Sequence, residues 1–415
     1  MRVKRFYYER LRQKRDLIRD LKWQILEKAF RFLTTIFVSL LISKYLSPED
    51  FGKYTYVISI FTIWINASGL GISNLIVAQI SKFKINQKKI ISTFLRIRII
   101  STIIVFVVFL IYSLFSLKLG LFLLFSIFFS FLDVFEYYNQ GTLRLSNNAK
   151  AKIVAYFFGF ILKVIAILYF KSFALALVFY GVEFSFAYFL IYKYSRLDFF
   201  EIILKKVDSK LQKATFKKML PLSITPILTI LTTKLDVLII KSKFGFSLLG
   251  EYHIFSQVIM LWTIFPVMLS NYYLPRLAQI YCSSKLKYQE ELRKYMRIYF
   301  FIGLFLTLFA LIVFHLQYKF LNYQNNSIYI AGIILCFTNI TTSTAILQNQ
   351  IIAINNLHIY SLIKVFVLFL IMISSSLFFV DYIGIIALPI SMNLALIFVE
   401  FILPKFFNNT IRSVI

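Results

Sequence analysis

Acidic residues are scarce in this chain of 415 residues: 18 Asp and Glu stand against 46 Lys and Arg, a formal net charge of +28. Cysteine (two), histidine (three), proline (seven) and glycine (12) are also few. Two cysteines, Cys282 and Cys336, give no disulfide framework. With His253, His315 and His358 scattered, no metal-ligand spacing forms and no cofactor is implied. The low glycine and proline content leaves long uninterrupted segments. The excess positive charge does not point to nucleic acid, because it flanks apolar runs instead of forming one basic soluble domain.

Apolar residues are abundant. They make up 60% of the chain, with a mean hydropathy of +0.78, against roughly 45–50% in soluble domains. Between the charge clusters lie runs of about 18–23 residues, the length that crosses roughly 30 Å of hydrocarbon as a helix. Lipid offers the backbone no hydrogen bonds, and the period-2 alternation of a membrane barrel is missing, so the runs are read as helices. Twelve spans are predicted, near 25–46, 54–76, 97–116, 120–140, 153–171, 173–192, 219–241, 252–275, 298–316, 327–350, 359–380 and 383–404. Residues 1–24 are basic, but the apolar run that follows is long enough to span and has no small-residue cleavage site, so no cleavable signal peptide is expected.

Lys and Arg divide unequally between the two sides. Thirty-three fall in 1–24, in the alternate loops 82–98, 141–152, 193–218 and 282–297, and in the tail (Lys405, Arg412); six fall in the opposite loops. The positive-inside rule then sets both termini in the cytoplasm. No outer loop exceeds roughly a dozen residues on this reading, which leaves no room for an outer catalytic domain.

Six spans precede the largest basic loop and six follow it, and the halves echo each other. Ser47-Pro48-Glu49-Asp50-Phe51-Gly52-Lys53-Tyr54 is matched by Ser247-Leu248-Leu249-Gly250-Glu251-Tyr252, Ala78-Gln79-Ile80 by Ala278-Gln279-Ile280, and Asn147-Asn148 by Asn355-Asn356. Each asparagine pair precedes a lysine within a span, Lys163 or Lys364. An even number of spans per half makes the repeats parallel, about an axis along the membrane normal. The fold expected is an all-α membrane protein of about twelve helices in two six-helix pseudo-symmetric lobes around a central cavity. Its parts are a basic segment 1–24, an N-lobe 25–192, a basic linker 193–218, a C-lobe 219–404 and a tail 405–415. Gly52 and Gly250 are expected to serve turns that need positive φ.

Ionisable groups inside spans are costly and face a bundle interior or a wet cavity. Arg31, Lys163, Lys234 and Lys364 lie deep and are candidates for holding an anion such as a diphosphate. Asp133, Glu136, Glu183 and Asp236 are candidates for ion coupling. Internal pairing, Lys163 with Glu183 for example, is the alternative for any one of them. Lys28, Glu27, Lys44, Arg276 and Glu400 lie near span ends and are discounted as snorkelling. Thr225, Thr229, Thr232, Thr233 and Asp236 share a face of the seventh span, and Lys234 sits roughly 200° from Asp236. Polar stretches in the second span (Asn66 to Asn74) and the tenth (Asn339 to Gln350) read either as helix–helix hydrogen bonding or as broken helices along a transport path. No enzyme motif is present.

The early arginine of Glu27-Lys28-Ala29-Phe30-Arg31, the Leu46-to-Tyr54 segment, the Gly-rich Ser68-Gly69-Leu70-Gly71, and Asp236 followed by Phe244-Gly245 and Gly250-Glu251-Tyr252 together resemble the Wzx-type polysaccharide flippases of the MOP exporter superfamily. The resemblance extends over nearly the whole chain in span count. It implies two lobes opening alternately to each side of a bacterial cytoplasmic (inner) membrane. The implied substrate is an undecaprenyl-diphosphate-linked oligosaccharide for O-antigen (lipopolysaccharide) or capsule. The implied partners are membrane lipid and the polymerase and glycosyltransferases of the same pathway. Lysines at 163, 234 and 364 depart from an arginine-rich cavity. The alternatives are a multidrug exporter of the same superfamily, which would carry cations, and a membrane polymerase, which would need a long outer loop.

Overall fold

The computed structural model describes residues 2–82, 87–205, 209–283, 285–320, 325–355 and 357–407. Lys84, Lys206, Asn356 and Arg412, used in the reading above, lie outside them. Among the described residues all regular structure is helical. The chain divides into two compact units, one of residues 1–46 and 57–227, the other of residues 47–56 and 228–415.

The first unit holds α1 (Arg2–Tyr45), most of α2 (Pro48–Gly69), α3 (Ile72–Lys82), α4 (Gln87–Phe115), α5 (Leu124–Phe129), α6 (Asp133–Gly141), α7 (Leu145–Leu168), α8 (Phe173–Ser195) and α9 (Phe199–Leu204). Helix α10 (Ser209–Leu261) begins in the first unit and continues in the second. The second unit adds α11 (Ile264–Ser283), α12 (Lys285–Phe320), α13 (Asn326–Cys336), α14 (Thr338–Ile354), α15 (His358–Ile383) and α16 (Ala387–Ile397). In the first unit Ile76, Ile80, Phe94, Leu95 and Phe135 form a core; in the second, Tyr288, Tyr295, Tyr299, Leu347 and Ile351 do.

Eight helical stretches among the described residues are long and apolar enough to cross a membrane, and two of them, 223–270 and 359–406, are 48 residues long. At 1.5 Å per residue, about 70 Å of helix is twice what one crossing needs. Each long stretch is also interrupted, at Gly245 and at the 3-10 turn Gly384–Ile386. Phe301, Phe305, Leu308, Ile312 and Leu316 run down one side of α12 and are all exposed. Such a stripe suits acyl chains, not water. The protein is a multi-pass membrane protein.

Two expectations about turns are corrected. The Ser47 hydroxyl accepts from the Asp50 N–H at 3.1 Å, with Pro48 first in the helix and Glu49 and Asp50 in its first turn. That is a helix start, so Gly52 lies inside α2. Gly250 likewise lies inside α10, and the break comes five residues earlier, at Gly245 (φ 85°, ψ −172°), a conformation essentially reserved for glycine. The work of Gly52 and Gly250 is different. A Cβ on Gly52 would meet the Phe246 carbonyl oxygen at 1.9 Å and the Gly250 nitrogen at 3.1 Å. A Cβ on Gly250 would meet the Pro48 carbonyl oxygen at 1.9 Å and the Gly52 nitrogen at 3.0 Å. Each glycine thus faces the residue four before the other, in a reciprocal backbone-to-backbone crossing that only hydrogen side chains permit. Tyr56 packs edge-on against Phe246, 5.7 Å between centroids.

Candidate functional site

The polar stretches predicted as the second and tenth spans are both interrupted, and at both a hydroxyl satisfies the break. The second stops at Gly69, turns through Leu70 (φ 47°) and Gly71 (φ 59°), and resumes as α3. Ser101 donates to the Ser68 carbonyl at 2.9 Å, an oxygen that the helix end would otherwise leave unpaired. The tenth breaks at Phe337, between α13 and α14. There the Cys336 carbonyl accepts from Thr307 Oγ1 at 3.2 Å and from Asn339 Nδ2 at 3.1 Å. In hydrocarbon these bonds have no water to replace them.

Four deep ion pairs carry most of the buried charge. Arg98 and Asp133 are joined by Nε to Oδ1 at 2.9 Å and Nη2 to Oδ2 at 2.8 Å, both side chains almost fully buried. Lys152 meets Glu136 at 2.6 Å. Lys163 on α7 meets Glu183 on α8 at 2.7 Å. Lys364 on α15 meets Glu400 at 2.8 Å and also donates to Asn349 Oδ1 at 3.1 Å. Glu400 sits in a turn of π-helix, Phe398–Ile402, a widening that often accompanies functional positions. Gln348 donates to the Glu400 carbonyl at 3.2 Å, bracing that turn.

These placements correct three assignments. Arg98, counted above with the 82–98 loop, lies inside α4, which begins ten residues before the predicted span. Lys152, counted with 141–152, lies inside α7 beside Glu136. Glu400, discounted as a span-end residue, is 3% exposed and holds Lys364. One signal for Arg98 was available: Ser101 and Thr102 follow it at three and four residues, a polar stripe on one face.

The last two pairs follow the order of the repeat expected from the sequence. Lys163 is on α7, whose first turn holds Asn147 and Asn148, and Glu183 is on the next long helix; Lys364 on α15 and Glu400 in the turn after α16 stand in the same order. Their surroundings differ. The Glu400 carboxylate accepts from Lys364 and its backbone carbonyl from Gln348, whereas Glu183 has Lys163 as its ion-pair partner.

Arg31 stands apart from these pairs. It is exposed, and among the described residues it forms no ion pair. Its guanidinium lies 5.8 Å from the Tyr156 ring. Glu27, Val38 and Ile42, all within about 40° of it around α1, are buried. The exposed apolar residues Leu26, Leu33 and Phe37 lie about 120–160° away from it around the helix, on the other side. Arg31 is therefore exposed on the side turned from that stripe. If α1 spans as the sequence predicts, a guanidinium here requires water or an anion beside it. Lys163 lies in the same group of residues, its ammonium 5.7 Å from the Tyr180 ring. The first unit thus gathers Arg31, Lys163 and Glu183, with Tyr156 and Tyr180 beside the two cations. In α10, Lys234 and Asp236 are half-buried, and neither forms an ion pair among the described residues. Asp236 accepts from the Val237 N–H, at 2.8 Å.

Comparison with known proteins agrees with this architecture. The fold is similar to an inward-facing multidrug resistance MATE family transporter of the MOP superfamily (TM-score 0.72, 17% identity, covering 92% of this chain and 95% of that one). It is similar to the lipid II flippase MurJ in an inward closed conformation (TM-score 0.69, 14% identity, 94% and 88%). It is also similar to a MOP superfamily transporter from Pyrococcus furiosus described as having a binding pocket of reverse polarity (TM-score 0.67, 14% identity, 97% and 96%). A search of curated proteins found no match. A family model described as "Polysaccharide biosynthesis protein" matches residues 18–281. With well over half its length matched, and with this helical membrane architecture, the chain belongs to the polysaccharide biosynthesis protein family.

Proposed function

We propose that the protein is a flippase that carries an undecaprenyl-diphosphate-linked oligosaccharide from the cytoplasmic to the periplasmic leaflet of a bacterial inner membrane. The observation that carries this reading is Arg31: an exposed cation on α1, free of any ion pair among the described residues, turned from the apolar stripe of its own helix. Arginine offers a planar fork of donors that matches phosphate oxygens, and family membership supplies the polysaccharide. In this reading Arg31 and Lys163 hold the diphosphate, with Lys364 and Lys234 as further candidates. Polar spans solvate the sugar and the polyprenyl tail stays in lipid. About twelve spans in two lobes (25–192 and 219–404) alternate access around a central cavity, with both termini cytoplasmic. Asp236, Glu183, Asp133 and Glu136 remain the candidates for coupling to an ion. A cationic drug would be repelled by Arg31, which disfavours multidrug export.

Deleting the gene in the producing bacterium tests the proposal. Surface polysaccharide is expected to disappear while lipid-linked repeat units accumulate on the inner leaflet, and the wild-type gene restores display. Normal polysaccharide with heightened drug sensitivity would contradict it.

A further inference from the structure

The Lys163–Glu183 pair has a feature that a plain structural clasp does not need. Glu183 lies flat on the backbone of α7 at Gly159, one turn before Lys163. A Cβ on Gly159 would sit 2.1 Å from Glu183 Oε2 and 2.6 Å from Glu183 Cβ and Cγ. The carboxylate thus occupies a slot that exists only because residue 159 has no side chain. It is held there by the Lys163 ammonium, 2.7 Å away. Its counterpart Glu400 is hydrogen-bonded to Lys364, which also has Asn349. The groups acting on Glu183 are Lys163 and, more weakly, Arg31 from α1, with Tyr156 and Tyr180 also in its electrostatic surroundings. Glu27, one turn before Arg31, forms no ion pair with it.

We infer that Glu183 is a resident counter-anion, displaced from Lys163 by the incoming diphosphate. The inference rests on the reading of Arg31 and Lys163 as the anion site. A carboxylate and a phosphate oxygen present the same acceptor to an ammonium. Exchange between them keeps Lys163 paired throughout, so that no buried cation is ever left uncompensated. The diphosphate brings more charge and reaches Arg31 as well, which favours the exchange. The displaced carboxylate has lost its counter-ion in a medium of low dielectric and takes one proton from water. Loading of the anion and uptake of a proton are thereby one event.

The test measures binding of undecaprenyl diphosphate, and of inorganic pyrophosphate as the headgroup alone, to the purified full chain in detergent. Affinity and proton uptake are both recorded in weak buffer at pH 8. Lys163→Arg is the reference background, because arginine stays charged whatever its partner does. Relative to it, Lys163→Arg/Glu183→Gln is expected to bind about tenfold tighter and to take up about one proton fewer per ligand, a tenfold change being the removal of one modest competing contact. Gly159→Ala, which fills the slot on a helix that favours alanine, is expected to tighten binding in the same direction. Lys163→Met is expected to weaken it at least tenfold. A simple clasp predicts the opposite, since loosening it disorders the site and weakens binding. If Lys163→Met loses affinity but neither Glu183→Gln nor Gly159→Ala gains it, and proton uptake is unchanged, the exchange is wrong while the transport reading stands. If the wild-type chain binds neither diphosphate, or if Lys163→Met binds as well as wild type, the anion site itself is wrong. Equal affinity for pyrophosphate and the lipid supports the exchange but assigns the anion to a soluble diphosphate.

Discussion

Gly52→Ala and Gly250→Ala are each expected to destabilise the protein by about 3 kcal/mol, and the double variant by little more than either one. Overpacking a close contact typically costs 1–3 kcal/mol, with larger values where backbone must move. Here the new methyl would meet a carbonyl oxygen of the opposing backbone at 1.9 Å on either side of the crossing. No flexible side chain can yield, so the helix segments must separate. Once one methyl has forced them apart, the other finds room, and residues sharing one contact are strongly non-additive. Reversible unfolding of the four proteins in mixed micelles gives the cycle. Additive losses would mean that each glycine answers to a separate constraint and that the reciprocal crossing is not what selects them.

The second large effect concerns the buried pair of the second unit. Lys364→Met or Glu400→Gln alone is expected to cost about 3–5 kcal/mol, because each leaves a charge buried without its partner. Lys364→Met/Glu400→Leu is expected to recover most of that, since an apolar pair of similar volume removes both desolvation penalties. Asn349 would lose one bond and Gln348 would keep its bond to the Glu400 backbone, so the residual cost should stay near 1 kcal/mol. The same micelle unfolding assay reads it. A double variant no more stable than the singles would mean that the pair contributes specific bonding beyond charge compensation.

The helical membrane class was legible in the chain because hydrocarbon thickness fixes the length of an apolar run. The paired charges were legible only as candidates. Nothing local ties Lys163 to Glu183, 20 residues on, or Lys364 to Glu400, 36 residues on. Such pairing is decided by which helices pack, and the sequence records only that each group is deep. Arg98 was missed because a basic residue next to a basic loop reads as part of that loop, although its partner Asp133 was already singled out. Glu400 was missed because it lies near the end of the predicted span 383–404, where a charge reads as snorkelling, when it is in fact packed. The glycines at 52 and 250 were visible as a repeat, but a repeat does not say whether a missing side chain serves a turn or a contact. Gly245, five residues upstream, is the one that serves the turn. Arg31 was legible from depth alone; its lack of an ion partner was not.

The absence of an ion pair at Arg31 among the described residues is the point on which the functional account turns, and translocation in reconstituted liposomes examines it directly. A fluorescent sugar linked to undecaprenyl diphosphate is placed in both leaflets, and its loss of protection from an external quencher is followed. The wild-type chain is expected to move it, Arg31→Ala about tenfold to a hundredfold more slowly, as befits one lost charge-assisted contact, and Arg31→Lys at a rate between the two. An Arg31→Ala protein that translocates at the wild-type rate would contradict the account.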